Sequence, residues 1–327
     1  ALGAEDSLLP LIRQYWVPWL MAAWTGAFLY FGYSVCRSHG DTKLPGYMMV
    51  ATSLTNIALD PLYIFVFGWG LPGAAWATIT SFGIGCLVIY PKLLKRRWIR
   101  FDLRELALWN ALKQLNGIMA PAMVSQLMPA VSAMLATALV AGFGSAAVAA
   151  WGLGTRLEFF SIVVVLALTM SMPPMIGRML GAGDIEQIRK LVRLAVRFVV
   201  IWQLAIGLTW VVASGLVSEL FSSDSDVQEV LAGYLVRVPL SYSGLGVCML
   251  MVSVCNALGL AMRALLVSTL RLFLCFLPLL WIGSQINGVY GLMSGALVGN
   301  LFAGAMAYSF YRAGMTRLKA EISSGKA

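Results

Sequence analysis

Residues 55–78 read TNIALDPLYIFVFGWGLPGAAWAT, two apolar stretches around a Gly- and Pro-rich turn with one carboxylate inside the first. The apolar stretches predict a pair of membrane-spanning helices. An ionised side chain deep in a bilayer costs ~2.5–3.5 kcal/mol by insertion scales, so Asp60 asks for a function and a partner. Asn56 stands four residues earlier, on the same helical face. Pro61 has no N–H to offer the carbonyl of Ile57, which leaves a backbone oxygen free near the carboxylate. Together these groups suit an oxygen-lined cation site.

The composition agrees with a membrane setting. Of 327 residues 60% are hydrophobic and 11% charged, with a mean hydropathy of +0.83, far from a soluble domain. The 23 Lys and Arg against 14 Asp and Glu give a net charge of +9. These bases collect in short segments between apolar runs, not on one face or in an arm, so they report topology and not nucleic-acid binding. Cys36, Cys86, Cys248, Cys255 and Cys275 lie in apolar segments without CxxC spacing, as reduced core residues do.

Runs long enough to cross ~30 Å of hydrocarbon cover roughly 11–36, 44–67, 72–95, 116–142, 156–180, 194–217, 230–258, 264–284 and 287–311, nine in all. The expected fold is an all-α polytopic membrane protein. Segments 37–43, 92–113, 178–197, Arg263 and 312–326 are basic and read as cytoplasmic, whereas Glu219 to Glu229, with four acids, reads as external. A shift of 219 residues lays Ser34-Val35-Cys36 on Ser253-Val254-Cys255, Gly40 on Gly259 and Tyr15 on Tyr234; a shift of 218 lays Gly70 and Gly73 on Gly288 and Gly291. The first three spans thus match the last three, and the three between have no upstream counterpart. On this repeat the chain is expected to be a two-lobe, six-plus-six helix transporter lacking its first three helices, with residues 1–95 the rest of one lobe, 96–115 an inter-lobe linker, and 116–327 the second lobe and a basic tail. The linker is either an interfacial amphipathic helix or a charged loop. Residues 177–190, Gly-rich but preceded by no strand, read as a tight helix connection.

Two acids fall within spans, Asp60 and Glu158. Asp60 and Thr78 both sit ~8–10 Å below the outer surface by helical rise, so they are expected to meet across the hairpin, with Asn56. A protonated Asp60 would serve only as a helix-contact hydrogen bond, which Asn or Thr provides at less cost. In the matching repeat Cys275, Leu279 and Ala296 stand near the places of Asn56, Asp60 and Thr78, so the acid belongs to one half. Arg156 and Glu158, at i and i+2, do not face each other on a helix; they are assigned to a gating or structural network. Gln126 lies between Pro121 and Pro129, where a kinked helix opens backbone polar groups to a cavity. With Met123, Met128, Met170 and Met172 it is taken as a substrate wall, flexible thioethers suiting varied apolar ligands. Gly291, Gly295 and Gly299, four residues apart, suit close helix packing.

Enzymatic function is not expected. The single histidine, His39, lies in a loop, and one membrane aspartate makes no two-aspartate, Ser–His or HExxH site. A channel would want a charged ring or filter. A flippase of lipid-linked sugars, which would favour a basic cavity, and a non-transporting membrane fragment stay open as alternatives.

The run SVCRSHGDTKLPGYMMVATSLTNIALDPLYIFVFGWGLPGAAWAT (34–78) resembles the fourth-to-sixth helix region of multidrug and toxic compound extrusion (MATE) transporters, with a Gly-Asp-Thr-Lys-x-Pro loop and the Asn-x-x-x-Asp of helix five. GLGTRLEFF (152–160) and MIGRMLGAGD (175–184) are similar to helix eight and the loop after it. The resemblance covers nearly the whole chain as helices four to twelve. It implies alternating access and export of amphipathic or cationic organic compounds by antiport with H⁺ or Na⁺, without a cofactor. It also implies a multi-pass monomer in the plasma (inner) membrane, with a cytoplasmic C-terminus and small organic substrates, the bilayer and no nucleic acid as partners. In relatives the cation site uses an Asn, an Asp and a helix-six Thr that map onto Asn56, Asp60 and Thr78, with Na⁺ at Asp60 the only metal implied. A helix-one aspartate completes that site in relatives. The acid some relatives carry on helix seven has no match between Pro121 and Val131, which points to the branch resembling DNA-damage-inducible-type transporters.

Overall fold

The structure is a computed structural model that describes residues 9–99 and 108–323. All regular structure among these residues is helical: α1 (Leu9–Ser38), α2 (Lys43–Pro61), α3 (Gly70–Lys95), α4 (Leu108–Ala141), α5 (Ser145–Gly181), α6 (Ile185–Phe221), α7 (Ser225–Arg237), α8 (Tyr242–Ala257), α9 (Ala261–Leu270) and α10 (Leu277–Ser323). Seven helical runs are long and apolar enough to cross a membrane by length and composition. Side chains such as Leu87, Leu220 and Val212 stand at least 77% exposed on the outside of these helices, the arrangement expected where the surrounding solvent is lipid.

The helices outrun the expected spans because apolar composition marks only the portion inside hydrocarbon. α5 begins at Ser145 instead of residue 156, and α6 at Ile185 instead of residue 194. The α5–α6 connection is the tight turn expected, with Gly183 at φ 73°. Asp184 then caps α6, its carboxylate accepting from the Gln187 backbone N–H at 3.0 Å. The expected 96–115 linker falls partly outside the described residues, and Leu108 to Leu115 are already the first turns of α4.

Prolines set the irregular turns. Pro61 closes α2, and a π-helical turn, Leu62–Val66, follows. Pro239 breaks the 230–258 span into α7 and α8 through a 3₁₀ turn, Val238–Ser241. A second π-helical turn, Arg271–Phe276, lies just ahead of Pro278.

The helical run from Ala261 onward is not one rod. Asn287 and Gly288 leave helical geometry, Gly288 at φ 54°. A Cβ placed on Gly291, Gly295 or Gly299 would strike the backbone of Gly283, Leu279 or Cys275. These pairs step in opposite directions along the chain, so the segments before and after Gly288 form an antiparallel helical hairpin held by backbone-to-backbone approach. Gly288 repeats the positive φ of Gly70 (φ 57°), its partner at the 218-residue shift, and Gly259 (φ 74°) repeats that of Gly40 (φ 85°) at 219. Only glycine takes that conformation without strain, and the two segments of sequence therefore turn at matching places.

The chain divides into two compact units, Ala1–Leu106 and Ala107–Ala327. In the first, Leu29, Tyr33, Cys36, Met48, Ile89 and Leu93 form the core of α1–α3. Arg96 donates to Asp41 at 2.6 Å and lies over the Trp98 ring, which stacks on His39, pinning the α1–α2 loop to the end of α3. In the second unit, one core gathers around Met172, Val192, Val199 and Leu250, and another around Trp151, Leu231, Tyr234 and Leu280.

Candidate functional site

In the first unit, α2 presents Asn56 and Asp60 one turn apart, and α3 presents Thr78 opposite them. The Asn56 amide nitrogen donates to Asp60 Oδ1 at 3.5 Å and to Thr78 Oγ1 at 3.4 Å. Both distances are at the long limit of hydrogen bonding, so the carboxylate and the hydroxyl are only weakly engaged by the amide. All three residues are half-buried. Thr78 returns its own proton to the Ala74 carbonyl at 3.0 Å, which leaves its oxygen as an acceptor. The only ion pair among the described residues joins Arg96 and Asp41, so none of the described bases pairs with Asp60. The structure thus brings together the three residues expected to meet.

Close to this cluster in the chain stands a residue that was not among the expected site residues. Tyr63 follows Asp60 by three residues, and its hydroxyl lies 3.3 Å from Thr80 Oγ1, while its ring packs with Phe67 and Trp69 at centroid distances of 5.5 and 5.1 Å. The helical spacing from Asp60 was the available signal. The π turn carries Tyr63, with Phe67 and Trp69 in the connection after it, and Gly73 lets α3 approach the Tyr63 backbone too closely for a Cβ.

The second unit contains a cavity of about 670 Å³ between α4, α5, α8 and the α9 region, lined by Gln126, Met128, Pro129, Met170, Asn256 and Arg271 among others. Pro129 and Pro173 in its wall remove backbone donors from α4 and α5. Of the expected wall, Gln126, Met128 and Met170 line the cavity. Met172 does not: two residues on, it turns into the core and is 2% exposed. Met123 is 56% exposed and also outside the lining. Arg271, within the expected 264–284 span, was the missed residue; the rule that singled out Asp60 applies equally to a lone base in an apolar run.

Arg156 and Glu158 part company, as their i, i+2 spacing dictates. Arg156 is exposed, whereas Glu158 points inward and accepts from the Tyr234 hydroxyl at 3.4 Å. Tyr234 packs edge-on against Trp151 at 5.4 Å and fills the space a side chain at Gly154 would take. Glu158 therefore ties α5 to α7. The five cysteines are free thiols, and no group of three His, Cys, Asp or Glu residues suited to a metal occurs among the described residues.

Comparison with known proteins follows the same lines. The profile of the family described as MatE matches residues 121–282. The chain is 33% identical over 317 residues to an FAD transporter of Shewanella oneidensis, covering 94% of this chain and 69% of that protein. It is 26% identical over 318 residues to the probable multidrug resistance protein YpnP of Bacillus subtilis, covering 96% and 70%. A crystal structure of a variant of the Vibrio cholerae MATE transporter VcmN superposes with a TM-score of 0.94 at 51% identity, over 97% of this chain and 72% of that one.

Proposed function

This chain belongs to the MATE family of membrane transporters, and from that premise we propose that it exports organic compounds in exchange for a cation, H⁺ or Na⁺, taken up at Asn56, Asp60 and Thr78. The observation that carries the proposal is one amide, on Asn56, reaching both a carboxylate on its own helix and a hydroxyl on the next. A carboxylate, an amide and a hydroxyl drawn together offer oxygen acceptors that either a proton or Na⁺ can use. Ligands drawn from α2 and α3 give the bound cation a different affinity for arrangements in which the helices close or part, which is what a ligand needs to shift a conformational equilibrium.

The 670 Å³ cavity, within the range of small-molecule sites, is the substrate chamber, with Gln126, Met128 and Met170 as its adaptable wall. Glu158 and Tyr234 serve as structural ties near it. The substrate class is amphipathic organic molecules, in keeping with relatives that carry FAD and multiple drugs.

We read nine membrane spans. The run Ala261–Thr316 has 56 residues, ~84 Å as one helix against a ~30 Å hydrocarbon core, and its fold-back at Gly288 makes it two spans; α1 adds another. Residues 1–95 then hold three spans and 116–327 six, joined through 96–115. The protein is a monomer of the plasma membrane with its C-terminus in the cytoplasm.

The test is efflux of a flavin dinucleotide and of a cationic dye from proteoliposomes, with and without an imposed H⁺ or Na⁺ gradient. Efflux that rises with one gradient supports cation coupling. Efflux at one rate under all gradients refutes it.

A further inference from the structure

The cavity of the second unit contains one charged side chain among its lining residues, and it is a base. Arg271 opens the π-helical turn Arg271–Phe276, a local irregularity of the kind that recurs at functional sites. Its Nε is buried without a hydrogen-bond partner, as is the Oδ1 of Asn256, another lining residue. Three of the five lining hydroxyls are already committed to the wall: Ser125 donates to the Ala122 carbonyl, Thr169 to Leu166 and Ser253 to Thr169. Among the described residues, the fully buried lining atoms left without a partner are Arg271 Nε and Asn256 Oδ1. Glu158 is not a lining residue and makes no ion pair within 4.0 Å of Arg271, but its carboxylate lies within the electrostatic field of that guanidinium. The 219-residue shift that lays Asp60 on Leu279 also lays Thr52 on Arg271. The acid of the first unit thus has no counterpart at the matching place in the second, and the cavity base has none at the matching place in the first.

We propose that the cavity takes organic anions, an apolar or aromatic body carrying a phosphate or carboxylate, and that Arg271 is the residue that recognises the charge. A guanidinium offers such groups paired N–H donors, while a cation entering the same space meets like charge. The proposal rests on the cavity being the substrate chamber, and it reverses the cationic preference implied by the sequence resemblance.

The test compares equilibrium binding of riboflavin, flavin mononucleotide and tetraphenylphosphonium to the purified chain, with a polyprenyl phosphate as a competing lipid source of the same phosphate. Flavin mononucleotide is expected to bind more tightly than riboflavin, which has the same ring without the charge. Arg271→Gln should weaken flavin mononucleotide by about tenfold or more and leave riboflavin unchanged, with partial recovery in Arg271→Lys. Binding of polyprenyl phosphate in place of flavin mononucleotide, with the same dependence on Arg271, supports the anion site and assigns the phosphate to a lipid. Equal binding of the two flavins, or preference for tetraphenylphosphonium, overturns the anion assignment while leaving a substrate chamber. Failure of every probe removes both. The order of the probes on the unaltered protein decides the matter even if Arg271→Gln does not fold.

Discussion

Asp60→Asn keeps the shape of the side chain and removes its charge, so it isolates the electrostatic part of cation binding. The carboxylate is half-buried, and its one described side-chain partner, the Asn56 amide, stands at 3.5 Å, which leaves it unsaturated. A monovalent cation ~4 Å from the carboxylate charge gains ~4 kcal/mol at an effective dielectric constant of ~20. If dehydration of the ion takes half, ~2 kcal/mol remains, a factor of about 30 in affinity. Asp60→Asn should therefore raise the half-saturating Na⁺ concentration about 30-fold, or displace the H⁺ dependence correspondingly, and bring gradient-driven efflux from proteoliposomes close to leakage. Folding should survive, because removing a half-buried charge without a salt-bridge partner does not strand another one. The melting temperature in detergent checks that point. Efflux by folded Asp60→Asn at the wild-type rate and gradient dependence would refute the reasoning and leave Asp60 a structural hydrogen-bonding residue.

Other expectations follow from the same structure. Gly295→Ala should lower thermal stability, since its Cβ meets the Leu279 backbone, while Gly152→Ala, with no neighbour within 4 Å, should gain up to ~1 kcal/mol of helix propensity; opposite shifts in melting temperature are the check. Single cysteines at positions 96 and 224 in a cysteine-free background should respectively resist and accept an impermeant thiol reagent on intact cells, and the reverse pattern would invert the topology. The Leu44 backbone N–H and the Arg96 guanidinium hold the Asp41 carboxyl below the usual carboxylate range, so its stabilisation is present above the unfolded carboxylate pKa of ~3.9 and is lost as pH falls through the lower folded value. Asp41→Asn should accordingly be less stable than the parent at neutral pH and indistinguishable from it in melts below that window. Met128→Leu and Met170→Leu should change which compounds are exported, whereas Met172→Leu, in the core, should act on melting temperature alone.

Helical class, basic and acidic ends and internal repetition were legible in the sequence because each is carried by residues close together in the chain. The meeting of Asn56, Asp60 and Thr78 was legible for a related reason: two helices joined by a short turn have fixed rise, so equal depth on either side of the turn brings side chains into register. Other features needed the fold. Met170 and Met172 read alike in sequence, and only the neighbours around α5 decide that one faces the cavity and the other the core. Arg271 was visible as a lone base in an apolar run, but its unpartnered Nε and its place in the cavity wall depend on how α4, α5, α8 and α9 surround it. Apolar length could not settle where α10 folds back, because hydrophobicity continues across the turn; Asn287 and Gly288 leaving helical geometry, with glycine backbones meeting on either side, decide it. Local composition determines that segments become helices in lipid. Which face of each helix meets a neighbour, a cavity or the lipid is a property of packing among distant segments.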